Sequence, residues 1–202
     1  MSSAGKRDTL INLLASSRIL ADVKIDSLAT ARAAAEKLHT LGVSNIIITT
    51  LKVPERDVPR SILLPNADDQ SLYCLSSQKT ANGLEQHLIA FPTYEGYFSG
   101  TGDMFSALVV ARWQEELKKP APSLATATKR VVSSVNAVTK RTWEHQVKHL
   151  KKLTNGEVDH LEGRPSSPAL IRCCELQMVQ SKRVIEDPEL AGESAIKMTR
   201  LS

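Results

Sequence analysis

The sequence predicts an α/β fold on three observations. A helical stretch at 27–42 leads directly into the β-branched run NIIITT at 45–50; strand-like segments continue to residue 91 and give way to two long helical stretches; and only eight of 202 residues are aromatic, two Trp, three Tyr and three Phe. A core of that composition rests on Leu, Ile, Val and Ala packed between regular elements, which favours helices over a β-sandwich. The length fits one domain. With 42% hydrophobic and 24% charged residues and a mean hydropathy of -0.19, the composition is that of a soluble globular chain, and disordered and fibrous classes drop out. No apolar run approaches the roughly 20 residues of a membrane span, so no membrane partner is expected.

The first helix is signalled by Ser27 as a cap, by Leu28, Ala31, Ala35 and Leu38 on one face, and by Gly42 where a helix commonly stops. The strand at Asn45–Thr50 has no polar alternation, as expected for a strand covered on both faces in a parallel sheet. RSILLP and SLYCLSS read as two short strands joined through the turn residues Pro65–Asp69, a candidate hairpin, and HLIAF at 87–91 as another strand. PTYEGYFSGTG then forms a loop. From Asp103 to Leu117 the sequence is helical and apolar around most of its circumference until Arg112, as in a helix packed deep in the fold. Pro120 and Pro122 end it. Ser123 caps a second long helix to about Leu153, with Leu124, Ala127, Val131, Val135 and Val138 at three- and four-residue intervals. Residues 154–168 read as a loop, and ELQMVQ alternates like a short strand with one buried face.

The charge balance, 26 Lys and Arg against 22 Asp and Glu for a net +4, with a pI near 9.0, permits a polyanionic partner without requiring one. The basic residues Lys140, Arg141, Lys148, Lys151 and Lys152 fit the solvated side of the second long helix. No nucleic-acid motif accompanies them, so no nucleic-acid partner is expected. Cys74, Cys173 and Cys174 are odd in number and two are adjacent, a pattern that matches neither a disulfide framework nor a metal knuckle and points to a reducing, cytoplasmic setting. The pair is expected to serve packing. His145 and His149 stand at i, i+4, but Gln146 occupies the place where a zinc protease helix needs Glu; no metal ligand is expected among these residues.

Chemistry is written most plainly at Gly100, Thr101, Gly102 and Asp103, between a strand-like segment and an apolar helix. Backbone amides and the positive end of that helix can converge on one anion there. The glycines permit close approach and positive backbone dihedrals, and Thr101 adds a hydroxyl donor. Asp103 would repel phosphate, so its place beside a phosphate cradle suits a general base that takes a proton from an attacking alcohol. Taken alone, four residues of this kind more often mark a flexible turn with Asp103 as a plain N-cap.

The run Phe98–Ala107, FSGTGDMFSA, resembles the F-x-G-T-G-D-x-F-x-A signature of pyridoxal kinases, members of the ribokinase-like superfamily. The resemblance extends to Leu20–Pro54 and to the closing segment ELQMVQSKRVIEDPE at 175–189, which is similar to the family's L-x-x-V-Q-S-K-x-x-I-x-x-P. It implies a ribokinase-like sheet with flanking helices, truncated at the N-terminus: a divergent segment at 1–18, then the C-terminal nucleotide-binding part of the kinase domain at 19–202. The implied activity is ATP-dependent phosphorylation of the 5'-hydroxymethyl group of pyridoxal, pyridoxine or pyridoxamine in vitamin B6 salvage. Asp103 matches the catalytic base, in contact with the substrate. Gly100, Thr101 and Gly102 match the anion hole, and Thr49 and Thr50 the pair at the nucleotide, in keeping with ligand binding at strand carboxyl ends in α/β sheets. ATP with Mg2+, a monovalent cation and a homodimer are further implications. The chain departs from the family upstream, where GKRDTLINLLASS matches nothing; a sheet lacking its first strands is expected to expose apolar surface around 45–50. The alternative is a noncatalytic nucleotide-binding or regulatory module derived from such a kinase.

Overall fold

The computed structural model describes residues 10–13, 25–64, 71–153, 161, 163, 165, 167–192 and 196–202. In chain order the elements are β1 (Leu10–Leu13), α1 (Leu28–Thr40), β2 (Asn45–Leu51), β3 (Ser71–Thr80), β4 (Gly83–Pro92), α2 (Thr101–Glu116), α3 (Leu124–Leu153), α4 (Pro168–Cys173), α5 (Lys182–Glu186) and β5 (Lys197–Arg200). The strands form one sheet in sequence order. Among the described strands only β1 and β2 run parallel; β2–β3, β3–β4 and β4–β5 are antiparallel. The expected parallel sheet is thus confined to one strand pair.

Ser27 starts α1 with a reciprocal cap, its Oγ accepting from the Thr30 amide at 3.2 Å while Thr30 Oγ1 accepts from the Ser27 amide at 3.0 Å. Such a cap is worth about 1 kcal/mol. The helix buries Leu28, Ala31, Ala34, Ala35 and Leu38 against one face of the sheet, where they meet Ile46 and Ile48 of β2. Ile47, between them, points to the opposite face and packs with Phe105, Val109, Val131 and Val132 of α2 and α3. Strand period therefore divides three consecutive isoleucines between two cores, each contributing roughly 1.5–3 kcal/mol by burial. This gives the strand covered on both faces that its composition predicts. The expected exposure around 45–50 does not occur: Ile46, Ile47 and Ile48 are at most 2% exposed. Residues 10–13, within the segment that departs from the family pattern, pair along the outer edge of β2.

Two predicted strands are corrected. Arg60–Ile62 is a single 3-10 turn following Pro59, whose φ of -56° suits a turn, and Ile62 anchors it in the core at 1% exposure. The hairpin partner of β3 is therefore β4, closed by Ala81 and Asn82 with Gly83 at φ 115°. In ELQMVQ only Glu175 pairs, as an isolated parallel bridge to Ser99; the chain then turns, leaving Val179 85% exposed. Side chains outside the segment hold that turn, since Thr142 Oγ1 accepts from the Gln177 amide at 3.1 Å. The predicted turn at Pro65–Asp69 and most of the predicted 154–168 loop lie outside the described residues.

Both long helices form, but α2 starts at Thr101 and, rather than being packed around most of its circumference, leaves Ala107, Val110 and Ala111 exposed on one side while Arg112 is buried. Ser123 Oγ caps α3 at the Thr126 amide, and Lys140, Arg141, Lys148, Lys151 and Lys152 are all exposed. Arg112 and Arg130 both reach Glu115 at 2.7 Å, tying α2 to α3, and Arg112 also donates to the carbonyl oxygen of Glu186 at 3.0 Å. The two guanidiniums hold the Glu115 carboxyl below the usual carboxylate range. Orientation of α2 is thereby set by its neighbours at its C-terminal half, away from Gly100. Among the described residues no helix is long and apolar enough to cross a membrane.

Candidate functional site

The helix that carries the glycine-rich run begins earlier than Asp103. Gly100 is the residue before its first turn, in the left-handed conformation at φ 93° and ψ 4°, and the first helical bond runs from the Met104 amide to the Gly100 carbonyl at 3.0 Å. The amides of Thr101, Gly102 and Asp103 therefore have no partner within the helix and project from its positive end. The approach is pinned by the Ser99 amide, which donates to the Cys174 carbonyl at 3.0 Å beside the bridge to Glu175. The closing segment thus buttresses the turn at the N-terminus of α2.

Beside this helix end lies a cavity of about 210 Å³. Thr49 and Thr50 enter it from the end of β2, and Thr101, Gly102 and Phe105 from α2. Four of the six predicted site residues therefore meet at one space. β3 contributes Leu72 and Cys74, α3 contributes Val132, Val135, Asn136 and Thr139, and Phe91 with the 92–98 segment closes the remaining side. The walls are largely apolar, with threonine hydroxyls at the margins, a lining suited to a flat heterocycle with polar groups at its edge. Gly100 and Asp103 do not line it. Asp103 is exposed in the first turn of α2, on the same helical face as Ala107, Val110 and Gln114.

Backbone geometry at Thr50 is unusual. It is the one non-glycine residue with positive φ among the described residues, at 59°, and the pairing of β2 with β3 slips between Ile48 and Leu51. The kink takes the two threonines out of the regular ladder and directs them at the cavity. For a β-branched side chain that conformation is strained.

Sequence reasoning missed Cys74, Asn136, Thr139 and the 92–98 wall. A signal existed for two of them, because Val132, Val135, Asn136 and Thr139 recur at helical intervals and the last two interrupt an apolar stripe with polar groups. Cys74 is fully buried, and burial pushes its thiol pKa far up, so it is a packing residue rather than a nucleophile. Cys173 and Cys174 are likewise buried and free, in line with the packing role expected of them.

For a nucleoside triphosphate the donor set fits: an apolar slot adjoins a helix N-terminus with free amides and a glycine held at positive φ. Mg2+ has no cage here, since no group of three or more His, Cys, Asp or Glu side chains converges among the described residues.

Pyridoxal kinase of Sus scrofa is 30% identical to this chain over 183 residues, covering 88% of the chain and 48% of that protein. The human enzyme of the same name is 30% identical over 183 residues, 88% of the chain and 50% of its own length. The chain is a relative of the pyridoxal kinases. It spans about half the length of the curated relatives it matches. No protein-family model matches it. Among solved structures, pyridoxal kinase from Leishmania donovani in complex with ADP and pyridoxamine superposes on 92% of the chain and 49% of its own, at a TM-score of 0.63 and 22% identity. Pyridoxal kinase from Entamoeba histolytica does so on 95% of the chain at 0.58 and 18% identity. The fold is that of the pyridoxal kinases, ribokinase-like, and covers half of it.

Proposed function

We propose that this chain supplies the nucleotide-binding and phosphoryl-transfer part of a pyridoxal kinase. The observation that supports this most strongly is the meeting of Thr49, Thr50, Thr101 and Gly102 at one apolar cavity beside the free amides of α2. The adenine of ATP occupies the cavity, the threonine hydroxyls take its polar margin, and the helix end receives the transferring phosphoryl group. Positive potential there opposes the negative charge that develops on the phosphoryl oxygens.

Asp103 acts from the other side of the helix end. Its carboxylate accepts the proton of the 5'-hydroxyl of a B6 vitamer as that oxygen attacks the γ-phosphorus; the bond from phosphorus to the bridging oxygen breaks and ADP leaves. Gly100 keeps the amides and the carboxylate in register by holding the left-handed turn. Mg2+ bound to ATP would offset charge on its phosphates, and the described residues add no cage of their own for it.

Calorimetric titration with ATP, followed by an assay for pyridoxal 5'-phosphate with ATP, Mg2+ and pyridoxal, tests the proposal. Binding with product formation is the expected result. Binding without product reduces the function to a nucleotide-binding module, and absence of ATP binding overturns the proposal.

A further inference from the structure

Beyond Pro92, where β4 ends, the wall of the cavity to Phe98 is irregular chain, yet the 92–98 segment is fastened at three points to one face of α3. Asn136 Nδ2 donates to the Pro92 carbonyl at 2.8 Å, Gln146 Nε2 donates to the Tyr97 carbonyl at 2.8 Å, and between them the Tyr94 and Trp143 rings pack with centroids 5.7 Å apart. Asn136, Trp143 and Gln146 are seven and three residues apart, so a rigid helix presents all three along the strap. Gln146 is 1% exposed and its Oε1 has no partner. Gly96 accounts for the close fit: at φ 144° it passes so near that a Cβ there would lie 2.8 Å from Gln146 Oε1. Gln146 is thus held in close contact with the strap by its donor and by the passage of Gly96.

We propose that Gln146 is a positioning residue for nucleotide binding. It sets the strap as the outer wall of the cavity through Tyr97 and Gly96, without itself lining the cavity. The proposal rests on the nucleotide reading given above and deepens it: affinity for the base depends on a side chain remote from the ligand, because Pro92, Tyr94 and Phe98 line the cavity only while the strap is held.

The test compares Gln146→Met, which keeps length and apolar packing but removes the donor, with Val138→Ala, a core truncation on the same helix at a buried residue that neither fastens the strap nor lines the cavity. Loss of one hydrogen bond of ordinary worth corresponds to about a 3- to 10-fold rise in the ATP dissociation constant for Gln146→Met. Amide exchange at Tyr94–Phe98 is expected to quicken in the same variant. Val138→Ala lowers the melting temperature and leaves both readouts at the parental value. Gly96→Ala is expected to reproduce the effect from the strap's side. Parental affinity and parental exchange in Gln146→Met overturn the proposal, as does an equal affinity loss in Val138→Ala, which would mark a merely structural role. Should the parent chain fail to bind ATP, the nucleotide reading fails, while unchanged strap exchange in Gln146→Met would independently refute the clamp.

Discussion

Asp103 and Phe105 leave the start of α2 from opposite faces, Phe105 buried against the cavity and Asp103 exposed. Two residues along a helix turn the side chain through about 200°, so a GTGD run followed by an aromatic residue separates two tasks. In the proposed kinase, one face closes on the nucleotide and the other holds a carboxylate open to an acceptor.

That separation predicts how Asp103→Asn will behave. Turnover in pyridoxal 5'-phosphate formation should fall by roughly 100- to 10,000-fold, the usual worth of a general base. ATP affinity should stay within about twofold, because Asp103 does not line the cavity. Steady-state kinetics and calorimetry on the same preparation check both halves. Parental turnover in the variant would remove Asp103 from the reaction.

Gly100 is a conformational requirement. At φ 93° a β-carbon costs about 1–2 kcal/mol, although the space beside it is open, with Leu176 Cδ1 3.9 Å from the added atom. Gly100→Ala is therefore expected to lower folding stability by about that amount in denaturant unfolding and to weaken ATP binding by displacing the helix-end amides. A full-strength site in the variant would show that the turn tolerates another geometry.

The parts of the fold legible in sequence are those governed by local rules. Ser27 and Ser123 start helices where their hydroxyls can cap them, and the unalternating NIIITT becomes a strand buried on both faces. GTGD is legible as a candidate site because its residue types suit one chemistry. What was not legible depends on partners distant in sequence. Alternation in ELQMVQ mimics a strand, but Thr142 captures the Gln177 amide and the chain turns. RSILLP has the composition of a strand, and burial of Ile62 beneath a proline turn overrides it. The strap's fastening to α3 joins residues 44 to 49 positions apart, beyond the reach of any periodicity.

Thr50 offers a test of strain against function. A β-branched residue at φ 59° stores strain of order 1–3 kcal/mol. Thr50→Gly should relieve part of it and leave thermal stability unchanged or raised, although glycine adds unfolded-chain entropy. The same variant loses a hydroxyl at the cavity, so ATP affinity should fall. Scanning calorimetry and titration with ATP separate the two effects. Lower stability with parental affinity would mean that Thr50 serves the fold and not the ligand.

His39 predicts the pH response of the fold. It is 4% exposed, with Nδ1 2.6 Å from the Val43 carbonyl oxygen and Nε2 2.8 Å from Ser77 Oγ. These distances suit a neutral ring whose Nδ1–H donates to Val43 and whose Nε2 accepts the Ser77 hydroxyl. Desolvation lowers its pKa, and nearby Lys79 acts in the same direction against the Val43 carbonyl and Glu36. Below an unfolded pKa of about 6.5 the unfolded chain binds a proton that the folded chain does not. Stability is then complete above that pH and declines as pH falls toward the folded value. His87 and His145 shift in the same direction, so the contribution of His39 is isolated by comparison with His39→Gln, which keeps a donor and an acceptor without a titrating ring. Denaturant unfolding at pH 7.5 and 5.5, values chosen to bracket the unfolded pKa, should show a smaller drop in the variant. An equal drop in both would assign the acid sensitivity elsewhere.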